Sequence, residues 1–508
     1  MRKLILLAGF IGYMYAHVGA QQPGDSVFNS GQLIHELRIT FTNNKWYDTL
    51  THYYTVSSQL DSTIYLMATS VQFDGVMYDS VGCRFKGNSS YNNQSQKKSW
   101  KLDFEEFKAS NELNGLKQIN LNNGFKDPTL LREKICLDFL RHFGIPAPRA
   151  DYVNVYVNNQ LWGLYILVEE VDKTFLKTHF GNKGGNLYKG DPHGDLTFKG
   201  SAPASYYSSY ELKTNETAND WSDLVWLCDN LSNTPAGQWH DSLHACFNTE
   251  DYVKSWATTI LFSNLDSYTG SGHNYYIYHN TETDRFEWIN WDVNEAFGTF
   301  LNGNQASQMA SLAMNYIPNP QNSRPLHVKM SADSLYWDGF KHFVCVALSD
   351  YFNASMLFPV IDSLHNRIKP SAYADTKKFY NNAQFDANID SNITGSLGLK
   401  PFVITRYTNL MQQLNGYTCE DLETAISDIE QPFQLHISPN PVTRIIDIQS
   451  IPGLNKLYLY SLSGQLIATY EVEGNIKHLE VSSLPAGSYL LTGKLGTGET
   501  VTSRFIKL

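Results

Sequence analysis

The stretch from Asn264 to Gly298 concentrates side chains that could do chemistry: Asp266, then His273-Asn274-Tyr275-Tyr276, then Trp291-Asp292-Val293-Asn294-Glu295-Ala296-Phe297-Gly298. It offers a carboxylate, an amide shortly after it, and a second carboxylate at the end of an aromatic-rich run. Phosphoryl-transfer centres need those groups in that order: one Asp orients the attacking hydroxyl, while an Asn and a later Asp hold magnesium against the phosphates. Asp and Asn are also common loop residues, so the surrounding elements decide the weight of the pattern.

Those elements read as follows. Leu37, Ile39 and Phe41 alternate with polar residues, as in a half-buried strand. Val81, Cys83 and Phe85 do the same, with Arg84 and Lys86 on the opposite face and the turn Gly87-Asn88-Ser89-Ser90 behind them. In Lys97-Lys98-Ser99-Trp100-Lys101-Leu102-Asp103-Phe104 the residues Trp100, Leu102 and Phe104 point one way and Lys101 the other. A helix is predicted from Pro128 to Phe143, with Asp127 as N-cap and Gly144 and Pro146 ending it. A hairpin follows, Tyr152 to Val157 and Trp162 to Val168 about the Asn158-Asn159 turn, leading into Glu169-Glu170-Val171-Asp172. Sequence beyond Asn219 is mainly helical, with a last helix predicted over Pro401 to Leu414. From about Glu430 the character changes to short strands separated by turn residues, which predicts a small β-sandwich.

At 508 residues the chain suggests roughly two to four domains. An apolar content of 42% with 13% aromatics suffices for a packed core, which excludes global disorder. A net charge of −11 argues against nucleic acid as a partner, because phosphate backbones select a basic face. Arg2-Lys3, the apolar run Leu4 to Tyr15 and the small residues Val18-Gly19-Ala20 predict a secretory signal peptide over residues 1–20. No later segment is apolar and long enough to predict a transmembrane helix in the mature chain. Of the six cysteines, Cys228 and Cys246 could close a local disulfide, and Cys136 reads as a buried thiol.

Two resemblances add to this reading. Ile437-Ser438-Pro439-Asn440-Pro441, Tyr460-Ser461-Leu462-Ser463-Gly464-Gln465 and Leu484-Pro485-Ala486-Gly487-Ser488-Tyr489, with the terminal Lys507-Leu508, resemble the type IX secretion sorting domain of Bacteroidota. This implies residues 429–508 as a sorting module, the type IX machinery as a partner, and a secreted or cell-surface location. Arg84-Phe85-Lys86-Gly87-Asn88-Ser89-Ser90, Lys97-Lys98-Ser99-Trp100-Lys101, Leu131-Arg132-Glu133-Lys134, Val168-Glu169-Glu170-Val171-Asp172, Asn186-Leu187-Tyr188-Lys189-Gly190 and the Asp266/Asn274/Asp292 set resemble the spore-coat CotH family. That resemblance implies an α+β, two-lobed, atypical protein-kinase-like domain over residues 21–428. It departs from the family's pattern in the Gly270-Ser271-Gly272 insertion between Asp266 and Asn274, and in Asn294, where many members carry a second Asp.

The resemblance also implies roles. Gly87, Asn88 and Ser89 would face phosphate. Lys101, or alternatively Lys98, would be the phosphate lysine, and Glu133 would pair with it or simply favour the helix dipole as a first-turn acid. The Glu169-Glu170 segment would lie where a hinge meets adenine, its backbone mattering more than its carboxylates. Asp266 would orient the hydroxyl, and Asn274 and Asp292 would hold Mg²⁺. The function implied is ATP- and Mg²⁺-dependent transfer to a protein acceptor, either of phosphoryl to Ser/Thr-type hydroxyls or of AMP or glutamate. Two other readings compete: a non-catalytic surface adhesin or scaffold on the same domain, and a glycosidase acid/base pair among Asp266, Asp292 and Glu295, which would require a particular carboxylate separation.

Overall fold

A computed structural model describes residues 22–417, except 30, 32, 61, 321 and 322, together with parts of 435–507. The predicted signal peptide, the Pro439-Asn440-Pro441 and Gly464 motif residues and the 428/429 boundary lie outside the described residues. The chain divides into two compact units, residues 1–416 and 417–508.

In the first unit seven strands close into a barrel: β1 (His35–Thr40), β2 (Leu66–Phe73), β3 (Val76–Lys86), β4 (Ser99–Asp103), β5 (Gln118–Asn122), β6 (Ala150–Val157) and β7 (Gln160–Glu169), in the order β1-β2-β3-β4-β5-β7-β6. Closure comes from β6, which runs parallel to β1 in the register His35↔Val153 to Ile39↔Val157. Alternation fills the interior as two-residue periodicity requires: Leu37 and Ile39, Cys83 and Phe85, Trp100 and Leu102, Val153 and Val155 all point inward and are buried. Trp46 packs among them, stacked on Trp100 at 5.7 Å and edge-on to Trp162 at 4.9 Å. The β6–β7 hairpin turns at Asn158 and Asn159, both with positive φ, the conformation that two-residue hairpin loops select.

A second, four-stranded sheet has the order β11-β10-β8-β9, formed by β8 (Leu187–Gly190), β9 (Tyr210–Leu212), β10 (Tyr275–Asn280) and β11 (Arg285–Asn290). The helices are α1 (Asp25–Phe28), α2 (Trp46–Leu60), α3 (Arg132–His142), α4 (Lys173–Phe180), α5 (Ser222–Asn233), α6 (Ala236–Cys246) and α7 (Thr249–Leu261). They continue with α8 (Ala306–Met309), α9 (Pro325–Ala332), α10 (Ser334–Asp350), α11 (Ala354–Ala374), α12 (Asn382–Asp390) and α13 (Leu399–Gln413). Among the described residues no single helix is long and apolar enough to cross a membrane.

This architecture corrects the expected two-lobed kinase-like α+β fold. The strands close on one another around a single interior instead of forming the open sheet of a small lobe, because β1 bonds to both β2 and β6 and leaves the sheet no edge. Two local expectations are corrected as well. Helix α3 begins at Arg132, not Pro128, because Leu130 adopts a φ of 59° that no α-helix accommodates. Asp127 still serves the helix start: its Oδ2 accepts the Arg132 N–H at 2.8 Å. Cys228 and Cys246 are free and buried, each on its own helix, and the Cys246 thiol faces the Leu243 carbonyl at 3.6 Å. Cys136 is a buried free thiol and Cys345 is disulfide-bonded.

The second unit contains a three-stranded sheet, β12 (Ile437–Ser438), β13 (Ile445–Ile448) and β16 (His478–Glu480), and a four-stranded sheet, β14 (Leu454–Ser461), β15 (Leu466–Glu471), β17 (Gly487–Leu495) and β18 (Thr500–Lys507). Both contribute to one core that includes Ile446, Ile448, Leu457, Leu459, Leu491 and Phe505.

A charged cleft on the outer barrel wall

Alternation that sends Cys83, Phe85, Trp100 and Leu121 inward must send their neighbours outward. The outer faces of β3, β4 and β5 therefore carry Arg84 and Lys86, Ser99 and Lys101, and Asn120 and Asn122, and these line a cavity of about 650 Å³. Its other side is built from Lys189 of β8, Glu211 of β9, Tyr276 of β10, and the two loops that carry Asp266 and Asp292.

Lys86 is the centre of the barrel side. Its ammonium donates to Asn120 Oδ1 at 2.8 Å and Asn122 Oδ1 at 3.3 Å. Each amide passes its own N–H to a glutamate: Asn120 to Glu170 at 2.7 Å, Asn122 to both oxygens of Glu133 at 2.8 and 3.0 Å. Burial lowers the Lys86 pKa, opposed by the charges of Glu170, Asp292 and Glu133. Lys101 sits in a 2.7 Å ion pair with Glu170. Burial alone would raise the Glu170 carboxyl, but Lys101 and Lys86 outweigh it and hold it down to about 2. The Gly87–Ser90 turn closes one end. Gly87 has φ 94°, and a Cβ there would fall 2.1 Å from Ser90 Oγ. The Asn88 carbonyl receives the Tyr91 and Asn92 N–H groups, and among the described residues the N–H groups of Asn88, Ser89 and Ser90 have no acceptor.

Across the cleft, Asp266 is braced on both oxygens: His273 Nε2 and Ser271 Oγ lie 2.8 and 3.1 Å from Oδ1, and Asn274 Nδ2 donates to Oδ2 at 3.1 Å. Asn274 Nδ2 also donates to the Asp266 carbonyl at 2.9 Å. The insertion Gly270-Ser271-Gly272 thus supplies a hydroxyl to this carboxylate. Burial would lower the His273 pKa, but the bond to Asp266 and the charges of Asp266, Asp191 and Asp292 raise it. The Asp292 carboxylate has no hydrogen-bond or ion-pair partner among the described residues, and its backbone has φ 49°. Burial raises its pKa, as does Asp266, against the charges of Lys86, Lys189 and His273. Lys126 bridges to Glu295 at 2.9 and 3.0 Å and ties the loop after β5 to the loop after β11.

Of the residues singled out from sequence, Gly87, Asn88, Ser89, Lys101, Glu133, Asp266, Asn274 and Asp292 line this one cavity. Lys98 and Glu169 do not line it. Lys98 donates to the Tyr91 and Asn93 carbonyls at 2.6 and 2.8 Å, and Glu169 forms a buried pair with Arg149, 2.5 Å at its shortest. Lys86, Lys126 and His273 received no role from sequence, and Glu170 only a backbone one in the hinge segment, not a carboxylate paired with Lys101. Lys86 could have been found from the alternation already visible in Val81 to Lys86, and Glu170 only from strand register.

Two acids in this cleft make stability depend on pH. Burial and the Asp292 charge push Glu133 up to about 8, and burial with Asp266 pushes Glu295 up to about 7. A carboxyl raised above its ordinary value of 4.5 is favoured protonated in the folded state, so its stabilising contribution is full below 4.5 and is lost as pH rises through the folded value. In metal-free buffer the unfolding temperature of the parent relative to Glu133→Gln is expected to fall as pH rises from 4.5 to about 8. Identical slopes for the two proteins would refute this account of Glu133.

The barrel, its outer-wall cleft and a separate β unit at the C-terminus define a class: a two-unit protein whose buried charged cleft lies between a barrel wall and two acidic loops. Residues 83–410, well over half of the chain, match the CotH kinase protein family, and the chain belongs to that family. Residues 436–507 match the secretion system C-terminal sorting domain, which marks the protein for type IX secretion to the cell surface or exterior. The chain is similar to inner spore coat protein H of Bacillus subtilis, 26% identical over 298 residues covering 58% of this chain and 79% of that protein. It is also similar to invasin CotH2 of Rhizopus delemar, 21% identical over 301 residues, 55% of this chain and 48% of that protein. The chain thus spans about half the length of the Rhizopus relative.

Proposed function

We propose that this cleft binds ATP with Mg²⁺ and uses it for transfer to a protein acceptor, of phosphoryl or AMP from the nucleotide or of glutamate through an acyl-adenylate that releases AMP. The observation that carries the reading is Lys86, an oriented ammonium whose hydrogen bonds among the described residues go to amides, placed across the cavity from the Asp292 carboxylate, which has no partner among them. Among the described residues no three His, Cys, Asp or Glu side chains form a metal cage. Mg²⁺ is usually held by one or two carboxylates together with substrate phosphates, so the donor set fits that ion. Asp292 and the Asn274 side-chain carbonyl would hold it, and the ion would supply charge compensation for the phosphates.

The remaining roles follow from the bonds. Lys101 is neutralised by Glu170, so Lys86 takes the phosphate-facing role, with the N–H groups of the Asn88–Ser90 turn, which have no acceptor among the described residues, lining the same cavity. Asp266 is oriented by Ser271, His273 and Asn274 and keeps lone pairs for an acceptor hydroxyl. Phosphoryl transfer and AMP or glutamate transfer use the same groups.

The test is incubation of the full chain with Mg²⁺ and ATP labelled separately at the α and γ positions. γ-label on protein identifies phosphoryl transfer, and α-label identifies AMP transfer. Asp266→Ala is expected to keep ATP affinity while transfer falls at least about 100-fold. Turnover equal to the parent would remove Asp266 from its role. The names of the relatives, a spore coat protein and an invasin, favour a second reading as a non-catalytic surface protein. Silence in both label channels with no ATP-induced thermal shift would select it.

A further inference from the structure

A second cavity, about 600 Å³, adjoins the cleft and shares Tyr54, Arg84, Glu211 and Lys213 with it. Its walls come from the C-terminal end of α2 with the segment after it, including Ser57, Ser58 and Thr63, and from β9 with the residues around it, including the half-exposed Tyr207. Two observations give it a purpose. First, β9 is an edge strand. The Lys213 N–H bonds to the Leu187 carbonyl and Glu211 pairs with Lys189, so alternation turns the Leu212 N–H and C=O away from β8 toward the open edge. Second, Arg84 stands where the two cavities meet, and among the described residues no carboxylate pairs with it. Its guanidinium lies over the Tyr65 ring at 5.6 Å, and its Nε is buried without a hydrogen-bond partner among the described residues. An arginine in that state favours a carboxylate ligand, which its planar fork binds through paired N–H groups.

We propose that this second cavity is the acceptor-docking groove: an extended segment of the acceptor protein adds to the free edge of β9, with an acidic side chain on Arg84 and its hydroxyl residue delivered into the cleft. Edge pairing supplies affinity through the main chain, and the side-chain pocket supplies selection, the usual division in strand-addition recognition. Glu211 and Glu216 lie on the same groove but are exposed and screened, so the half-buried Arg84, with its buried Nε unpartnered among the described residues, sets the preference. The inference rests on the transfer reading above, since the groove gains meaning from the cleft it enters.

The test uses the full chain and two fluorescein-labelled peptides, each a short extended sequence with a central Ser, one flanked by Asp and Glu and the other by Lys. Anisotropy is expected to show the acidic peptide bound at least about tenfold more tightly, a difference near 1.4 kcal/mol. Arg84→Gln is expected to abolish that preference. Leu212→Pro removes one outward N–H from an edge position, where proline is tolerated. It is expected to weaken the acidic peptide about tenfold relative to Leu212→Ala, which keeps the N–H. Equal affinity for the two peptides, or Leu212→Pro binding like Leu212→Ala, would overturn the groove. ATP-induced stabilisation of the parent, read in the same samples, reports separately on the transfer reading.

Discussion

Asp292→Ala is expected to weaken Mg²⁺-dependent ATP binding at least about 100-fold by calorimetry, since even outer-shell partners of a metal site carry 10–100-fold effects. The expectation comes from what surrounds the carboxylate. Asp292 lines the cavity, has no partner among the described residues, and is raised in pKa by burial and by Asp266. A group so placed destabilises the empty protein and is relieved by a cation. Removal of its charge is therefore expected to raise the unfolding temperature of the ligand-free chain while binding is lost, an exchange typical of functional sites. Asp292→Asn is the sharper variant. The residue holds φ 49°, a left-handed conformation that asparagine tolerates and alanine resists. Unchanged ATP affinity in Asp292→Asn and Asp292→Ala alike would remove Asp292 as a ligand.

The second large effect lies away from the cleft. Lys97 and Asp375 form a 2.6 Å ion pair with both side chains wholly buried. Lys97 also donates to the Leu164 carbonyl at 2.6 Å, and Asp375 accepts the Leu164 and Lys377 N–H groups at 3.1 and 2.9 Å. The pair locks the approach to β4 and the middle of β7 onto the end of α11. Lys97→Met leaves the aspartate charge buried without its counter-ion and is expected to cost about 3–5 kcal/mol in denaturant unfolding. Lys97→Met with Asp375→Leu removes both charges and is expected to recover most of that loss. A single-variant loss below about 1 kcal/mol would place the pair among the weak, exposed kind.

Local structure was legible in the sequence wherever one face of an element had to be apolar. Trp100, Leu102 and Phe104 against Lys101 gave the correct inward and outward faces of β4, and Asn158-Asn159 marked the β6–β7 turn. Closure of the barrel was not legible, because the β1–β6 pairing joins residues more than a hundred positions apart and leaves no periodic trace. The start of α3 was misplaced because Asp127-Pro128 has the chemistry of a helix start, while Leu130 breaks the helical path one turn later. Between the consecutive Glu169 and Glu170, only register decides which faces the cleft. Ile119 pairs with Glu169, whose side chain goes to Arg149, and Glu170 is left for Lys101. Lys86 and Lys101 are alike in sequence, and only the carboxylate beside one of them separates their chemistry.

The two asparagines that hold Lys86 carry dipoles but no net charge. They fix the ammonium in direction without cancelling its field, and the glutamates behind them fix the asparagines in turn. A lysine paired directly with a carboxylate would have to exchange that partner for an incoming anion, and the rearrangement would oppose binding at each cycle. Here the positive end of the cleft is set before anything arrives. Its electrostatic work is done during folding, so an arriving phosphate meets a charge that need not move.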